Sequence, residues 1–132
     1  MTAEELPPAI PVFPLTGALL LPSGQLPLNI FEPRYVALIE DALGAGRYLG
    51  MIQPQSAASE NIGNDSPLFD IGCLGRITEY ADRGDGRYEI VLTGVCRFMV
   101  SRELDIRRGY RRVEADYGAF LDDLDPGDTE IT

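Results

Sequence analysis

Tyr88-Glu89-Ile90-Val91-Leu92-Thr93-Gly94-Val95-Cys96-Arg97-Phe98-Met99-Val100 is the stretch on which the fold turns. Tyr88, Ile90, Leu92, Cys96, Phe98 and Val100 share one parity, while Glu89, Thr93, Arg97 and Ser101 share the other. A period of two predicts a half-buried β-strand. Just before it lies Asp82-Arg83-Gly84-Asp85-Gly86, an Asp-Gly turn signal between alternating runs. Upstream, from Asp70 to Tyr80, Ile71, Cys73, Gly75 and Ile77 repeat the same period. The two strands are expected to pair antiparallel.

Downstream, Tyr110 to Phe120 offers a last strand, with Arg111, Val113, Ala115 and Tyr117 on one parity. Residues 121–132 then read as an acidic linker, too charged and too interrupted by Pro126 and Gly127 for an element. Upstream of the hairpin, residues 53–66 are rich in Ser, Ala, Asn, Gly and Asp without periodicity and read as a long mobile loop. Arg47 to Ile52 reads as a strand. Glu32 to Leu43 predicts the one main helix, because Tyr35, Leu38, Ile39, Ala42 and Leu43 form a single apolar stripe. Pro33 suits its first position, where no N–H is needed, and Gly44 and Gly46 can take the left-handed conformation that stops it.

Between Val12 and Ile30, apolar runs broken by Pro14, Pro22 and Pro27 read as short, edge or interrupted strands. Residues 1–10 contain the pair Pro7-Pro8 and read as a flexible lead-in, with order beginning near Pro11. The sum is a mostly β (α+β) domain over residues 11–120: about six short strands and one helix in a small, partly open barrel.

Composition narrows the chemistry. The 132 residues include no His, no Lys and no Trp, so all 11 basic residues are Arg, which stays protonated and cannot act as a tunable base. Ser-His-Asp, Cys-His and Ser-Lys nucleophile arrangements are excluded, as is a phosphate loop that needs lysine. Cys73 and Cys96, the two cysteines, are too few for a zinc site and read as buried apolar groups in a reducing compartment. A calcium loop with Gly127 sixth would put Leu124 third, where an oxygen ligand belongs. No metal, no cofactor and no catalytic residue is expected. A carboxylate-only enzyme would need paired acids, and the acids here fall on turns and solvent faces.

The formal charge of -10 should repel nucleic acid and anionic membranes. The one basic cluster, Arg107, Arg108, Arg111 and Arg112 around Gly109-Tyr110, could hold RNA phosphates but reads better as a solvated turn entering the last strand. Without a basic, apolar leader or a span of roughly 20 apolar residues, the chain is expected to be soluble and cytoplasmic.

The order of the blocks Val12-Phe13-Pro14-Leu15, Leu20-Leu21-Pro22 and Leu26-Pro27-Leu28-Asn29-Ile30-Phe31-Glu32-Pro33-Arg34-Tyr35 resembles the amino-terminal substrate-binding domain family of the Lon protease, including free-standing bacterial members. The likeness continues through Tyr48 to Ile52, Ile71 to Ile77 and Leu92 to Phe98. It implies a pseudo-barrel related to the PUA fold, and a module that recognises polypeptides while ATPase and peptidase chemistry reside in other domains. A PUA-like barrel that binds RNA is the alternative. The resemblance also implies a helical segment after the barrel, so the chain is expected to be either part of a longer protein or a short member. The partners so implied are unfolded or damaged polypeptides or a partner protein, with weak self-association left open.

Binding residues concentrate on loops carried by a rigid sheet. The expected contact surface therefore lies between the turn from Leu20 to Leu26 and the loop from Gln53 to Pro67. Its candidate residues are Leu20, Leu21, Pro22, Leu26, Phe31, Tyr35, Gln53, Pro54 and Phe69.

Overall fold

Asp82 and Arg87 close the predicted turn. The Asp82 carboxylate accepts the Gly84 N–H at 2.8 Å, the Arg83 N–H donates to the Arg87 carbonyl, and Gly84 and Gly86 take φ of 82° and 80°. In the computed structural model, which describes residues 3–55 and 63–124, this turn joins β4 (Ile71–Asp82) to β5 (Tyr88–Arg107). The other strands are β1 (Ala9–Pro14), β2 (Gln25–Ile30), β3 (Tyr48–Ile52) and β6 (Tyr110–Asp116). Helix α1 spans Pro33–Leu43.

The strands form one sheet in the order β2-β5-β4-β3-β1-β6, and β6 pairs back onto β5. β5 makes this closure possible because it is 20 residues long. Its first half pairs with β4 and β2, and from Met99 to Arg107 it pairs with β6. Five strands thus close a ring, with β2 added along β5.

A register shift between Leu74 and Gly75 on β4 leaves Val95 as the extra residue on β5, since Leu74 pairs Cys96 and Gly75 pairs Gly94. A bulge of one residue exchanges the two faces of a strand. Leu92 and Ile90 therefore pack in one core with Cys73, Ile77 and the α1 stripe, while Cys96 and Phe98 pack in a second core with Leu74, Ile10, Val12 and Val113. Neighbouring residues in β1 and β3 also serve both cores: Val12 and Phe13, Met51 and Ile52. The Phe98 ring fits only because its neighbours are glycines, as a Cβ on Gly50 or Gly72 would lie 2.9 or 2.8 Å from its Cζ.

Several expectations are corrected. Order begins before Pro11: Leu6 and Ile10 are buried, and β1 starts at Ala9. Pro7 and Pro8 lack N–H donors but keep their carbonyls, which accept the Tyr117 hydroxyl at 2.6 Å and the Ala115 N–H at 2.9 Å. Only Met1 and Thr2 of the lead-in lie outside the described residues. The last strand ends at Asp116, and Gly118–Leu124 is a 3-10 segment in place of a linker's first residues. There the Phe120 carbonyl accepts the Cys96 thiol, and Asp123 grips Arg97. Residues 125–132 of the acidic stretch, with Gly127 of the tested calcium pattern, lie outside the described residues, as do 56–62 of the long loop. At the helix end Gly44 is right-handed, with φ -88°, and Gly46, with φ 92°, supplies the reversal.

Candidate functional site

Leu19-Leu20-Leu21-Pro22 crosses β5 where Gly94 leaves room. The Ser23 N–H donates to the Gly94 carbonyl at 2.9 Å, and the Gly94 N–H donates to the Gly24 carbonyl at 2.8 Å. A Cβ on Gly94 would stand 2.0 Å from the Leu21 carbonyl oxygen, so only glycine permits this crossing. Burial alternates along the three leucines. Leu20 drops into the core against Gly75 and is 4% exposed, while Leu19 and Leu21 stand out at 66% and 54%.

The opposite wall is built by Gln53 and Phe69. The Phe69 N–H donates to the Gln53 carbonyl and the Gln55 N–H to the Pro67 carbonyl, both at 2.9 Å, and Pro54 bridges Leu68. This short ladder turns Phe69 outward, half exposed beside Ile71. Between the walls lies an open groove of about 500 Å³ whose floor is Met51, Ile52, Gly72 and Cys73, with Asp70 and Arg97 at its rim. Met99, the β5 partner of Ile71, is also exposed and extends the apolar surface. Five exposed large apolar side chains in one region exceed the scattered exposure of an ordinary surface.

Two of the groove's polar groups, Cys73 and Arg97, are held in fixed states. Burial pushes the Cys73 thiol up to about 12, leaving it protonated and unreactive at neutral pH. Arg97 is committed to Asp123: its Nε, its NH2 and its backbone N–H each donate to that carboxylate at 3.0 Å. These bonds hold the Asp123 carboxyl below its usual range, and the guanidinium lies 4.9 Å over the Phe120 ring.

Of the nine predicted contact residues, Leu20, Leu21, Gln53 and Phe69 line this groove, with Leu20 as buried wall in place of exposed contact. Pro22, Leu26 and Pro54 are not among its lining residues, and Pro54 is buried. Phe31 and Tyr35 belong to a separate cleft of about 480 Å³ with Phe13, Leu15 and Leu28. Tyr35 is core there, stacked on Phe13 with ring centroids 4.2 Å apart, while Phe31 is 65% exposed. Leu19 and Ile71, outside the expected set, also line the groove. Leu19 sits in a run of three leucines whose alternation gives it away, whereas Ile71 shares parity with the buried Cys73 and carries no signal of its own.

The arginine cluster is not simply a solvated turn. Arg108, with φ 49°, and Gly109, with φ 89°, make the β5–β6 turn, and Arg108 binds Asp41 and Glu40 of α1. Arg111 is buried at 4%: its guanidinium pairs with Glu103 and donates to the carbonyls of Ser66 at 2.8 Å and Gly63 at 3.3 Å. Arg112 donates to the Asp105 carbonyl. The Tyr110 hydroxyl donates to Asp41 at 2.6 Å, which lowers the Asp41 carboxyl and, together with burial, pushes the phenol up to about 12. Among the described residues no group of three His, Cys, Asp or Glu is placed to hold a metal, and no helix is long and apolar enough to cross a membrane.

Residues 9–128 match the family model of the ATP-dependent protease La (LON) substrate-binding domain. Lon protease 2 of Myxococcus xanthus is 31% identical over 97 residues, covering 74% of this chain and 12% of that protein. Lon protease 4 of Sorangium cellulosum is 30% identical over 115 residues, covering 87% and 14%. The chain thus spans only about an eighth of the curated relatives it matches. The crystal structure of the Lon N-terminal domain protein from Xanthomonas campestris superposes with a TM-score of 0.64 at 28% identity, covering 83% of this chain and 59% of that one. The N-terminal domain of the Mycobacterium avium complex Lon protease gives 0.61 at 17% identity over 83% of this chain and 54% of that one, a likeness of fold.

Proposed function

The chain belongs to the family of Lon substrate-binding domains, and on that premise we propose that it is a non-catalytic module that holds polypeptides for chemistry performed elsewhere. The observation that carries this reading is the open groove between Leu19, Leu21, Phe69 and Ile71. Apolar side chains of an unfolded segment would leave water there, each contributing roughly 1.5–3 kcal/mol if fully buried. Folded proteins hide such side chains, so a groove of this kind discriminates by exposure of apolar residues and needs little sequence specificity. The wall geometry supports this role, since both walls are anchored by backbone hydrogen bonds that leave the leucine and phenylalanine side chains free.

A chain without His or Lys, with its groove thiol protonated, has no activated nucleophile to cut what it holds. Titration of the labelled chain with a reduced, unfolded protein should move amide signals from Ala18 to Leu21 and from Phe69 to Cys73. Leu21→Asp combined with Phe69→Ser should abolish these shifts while leaving the spectrum folded. Failure of any unfolded polypeptide to shift them at high concentration would overturn the reading.

A further inference from the structure

The walls of the groove are apolar, yet its rim is not electrically neutral. Among the described residues Arg97 is the one cation that lines the groove, and its charge is met by Asp123 through three hydrogen bonds. Asp70, on the same rim, is exposed, and among the described residues nothing pairs with its side chain. Its backbone is fixed, because its carbonyl accepts the Val100 N–H at 2.8 Å. The main chain that carries this anion is therefore held between Phe69 and Ile71.

The wider field has the same sign. Seven of the 11 arginines are tied to the chain's own carboxylates, in ion pairs such as Arg34–Glu32, Arg87–Asp85 and Arg102–Glu114. The chain as a whole carries a formal charge of -10. A groove with apolar walls, an unpaired carboxylate at its lip and a negative surround repels acidic segments and attracts cationic ones.

We infer that the groove selects extended polypeptide segments in which an apolar side chain is flanked by lysine or arginine. The apolar side chain enters between Leu21 and Phe69, and the neighbouring cation meets Asp70. This rests on the polypeptide-holding role and adds which polypeptides are held.

Three peptides with one shared Leu- and Phe-containing centre, flanked by Lys, Ser or Glu, test it by fluorescence anisotropy with the whole chain. At low salt the Lys-flanked peptide should bind about two- to fivefold tighter than the Ser-flanked one, and the Glu-flanked one more weakly than either. The spread should collapse at about 0.3 M salt, where charges beyond several Å are screened. Asp70→Asn, a change at an exposed position, should narrow the Lys-over-Ser ratio without weakening the Ser-flanked peptide. Equal binding of all three, or a Lys-over-Ser ratio untouched by Asp70→Asn, overturns the charge selection and leaves groove binding standing. If none of the three binds, the polypeptide-holding role falls and the selection falls with it.

Discussion

Replacing Gly94 by alanine should unseat one wall of the groove. The added Cβ would lie 2.0 Å from the Leu21 carbonyl oxygen and 2.7 Å from its carbon, and backbone cannot step aside as a side-chain tip can. Relief requires lifting the Leu19–Pro22 segment from β5. That strains or breaks the paired bonds from Ser23 to Gly94 and from Gly94 to Gly24, at about 0.5–1.5 kcal/mol each. It also draws Leu20 from the core, where full burial contributes about 1.5–3 kcal/mol. Partial relaxation keeps some of these contacts, so a loss of about 2–4 kcal/mol is expected. Gly84→Ala is the control: it has nothing within 4 Å but a φ of 82°, so it should lose only the conformational term, about 1–2 kcal/mol. Urea denaturation followed by circular dichroism measures both, and peptide affinity measured alongside should fall for Gly94→Ala alone. A Gly94→Ala variant no less stable than Gly84→Ala, with peptide affinity intact, would refute the crossing as the device that builds the groove.

Arg111→Met should cost about 2–4 kcal/mol in urea denaturation, because it strands the Ser66 and Gly63 carbonyls; Glu103, 43% exposed, recovers water, which keeps the loss below that of a fully buried broken pair. For pH, Asp41 and Asp123 are both lowered by bonds to Tyr110 and Arg97, so their contribution is present above the ordinary carboxylate value of 3.8 and lost as pH falls through the lower folded values. The urea midpoint should therefore drop below about pH 4, and Asp123→Asn should flatten that drop. Cys73 and Cys96, raised to about 12 and about 11 by burial, should resist a thiol reagent at pH 8 in the native state and react fully in denaturant.

Local signals carried much of the architecture. The Asp-Gly turn, the two alternating runs and the Pro33-led helix needed only neighbouring residues, and the structure forms all three, although β5 runs on past the expected end at Val100 to Arg107. What lay beyond reach depends on residues distant in sequence. The even residues of Tyr88 to Val100 look like one face, yet the Val95 bulge divides them between two cores, and the bulge is fixed by pairing with β4. Arg111 reads as solvated until Glu103 and the Ser66 carbonyl close around it. At the groove, four of the nine expected residues, Leu20, Leu21, Gln53 and Phe69, come together, because a leucine run and an aperiodic loop each mark a chain that leaves the sheet. The sequence could not say which leucine faces inward, since that follows from how closely Gly94 lets the backbone approach. Nor could it show Ile71 as exposed, because β4 is covered on that face only from Cys73 onward.

The most direct test of polypeptide holding is an amide NMR titration of the whole chain with an unfolded protein, read residue by residue. Shifts should cluster at Leu19, Leu21, Gln53, Phe69 and Ile71 and disappear in Leu21→Asp combined with Phe69→Ser. A spectrum that does not respond, or one whose shifts gather in the Phe31 and Tyr35 cleft, would contradict the account.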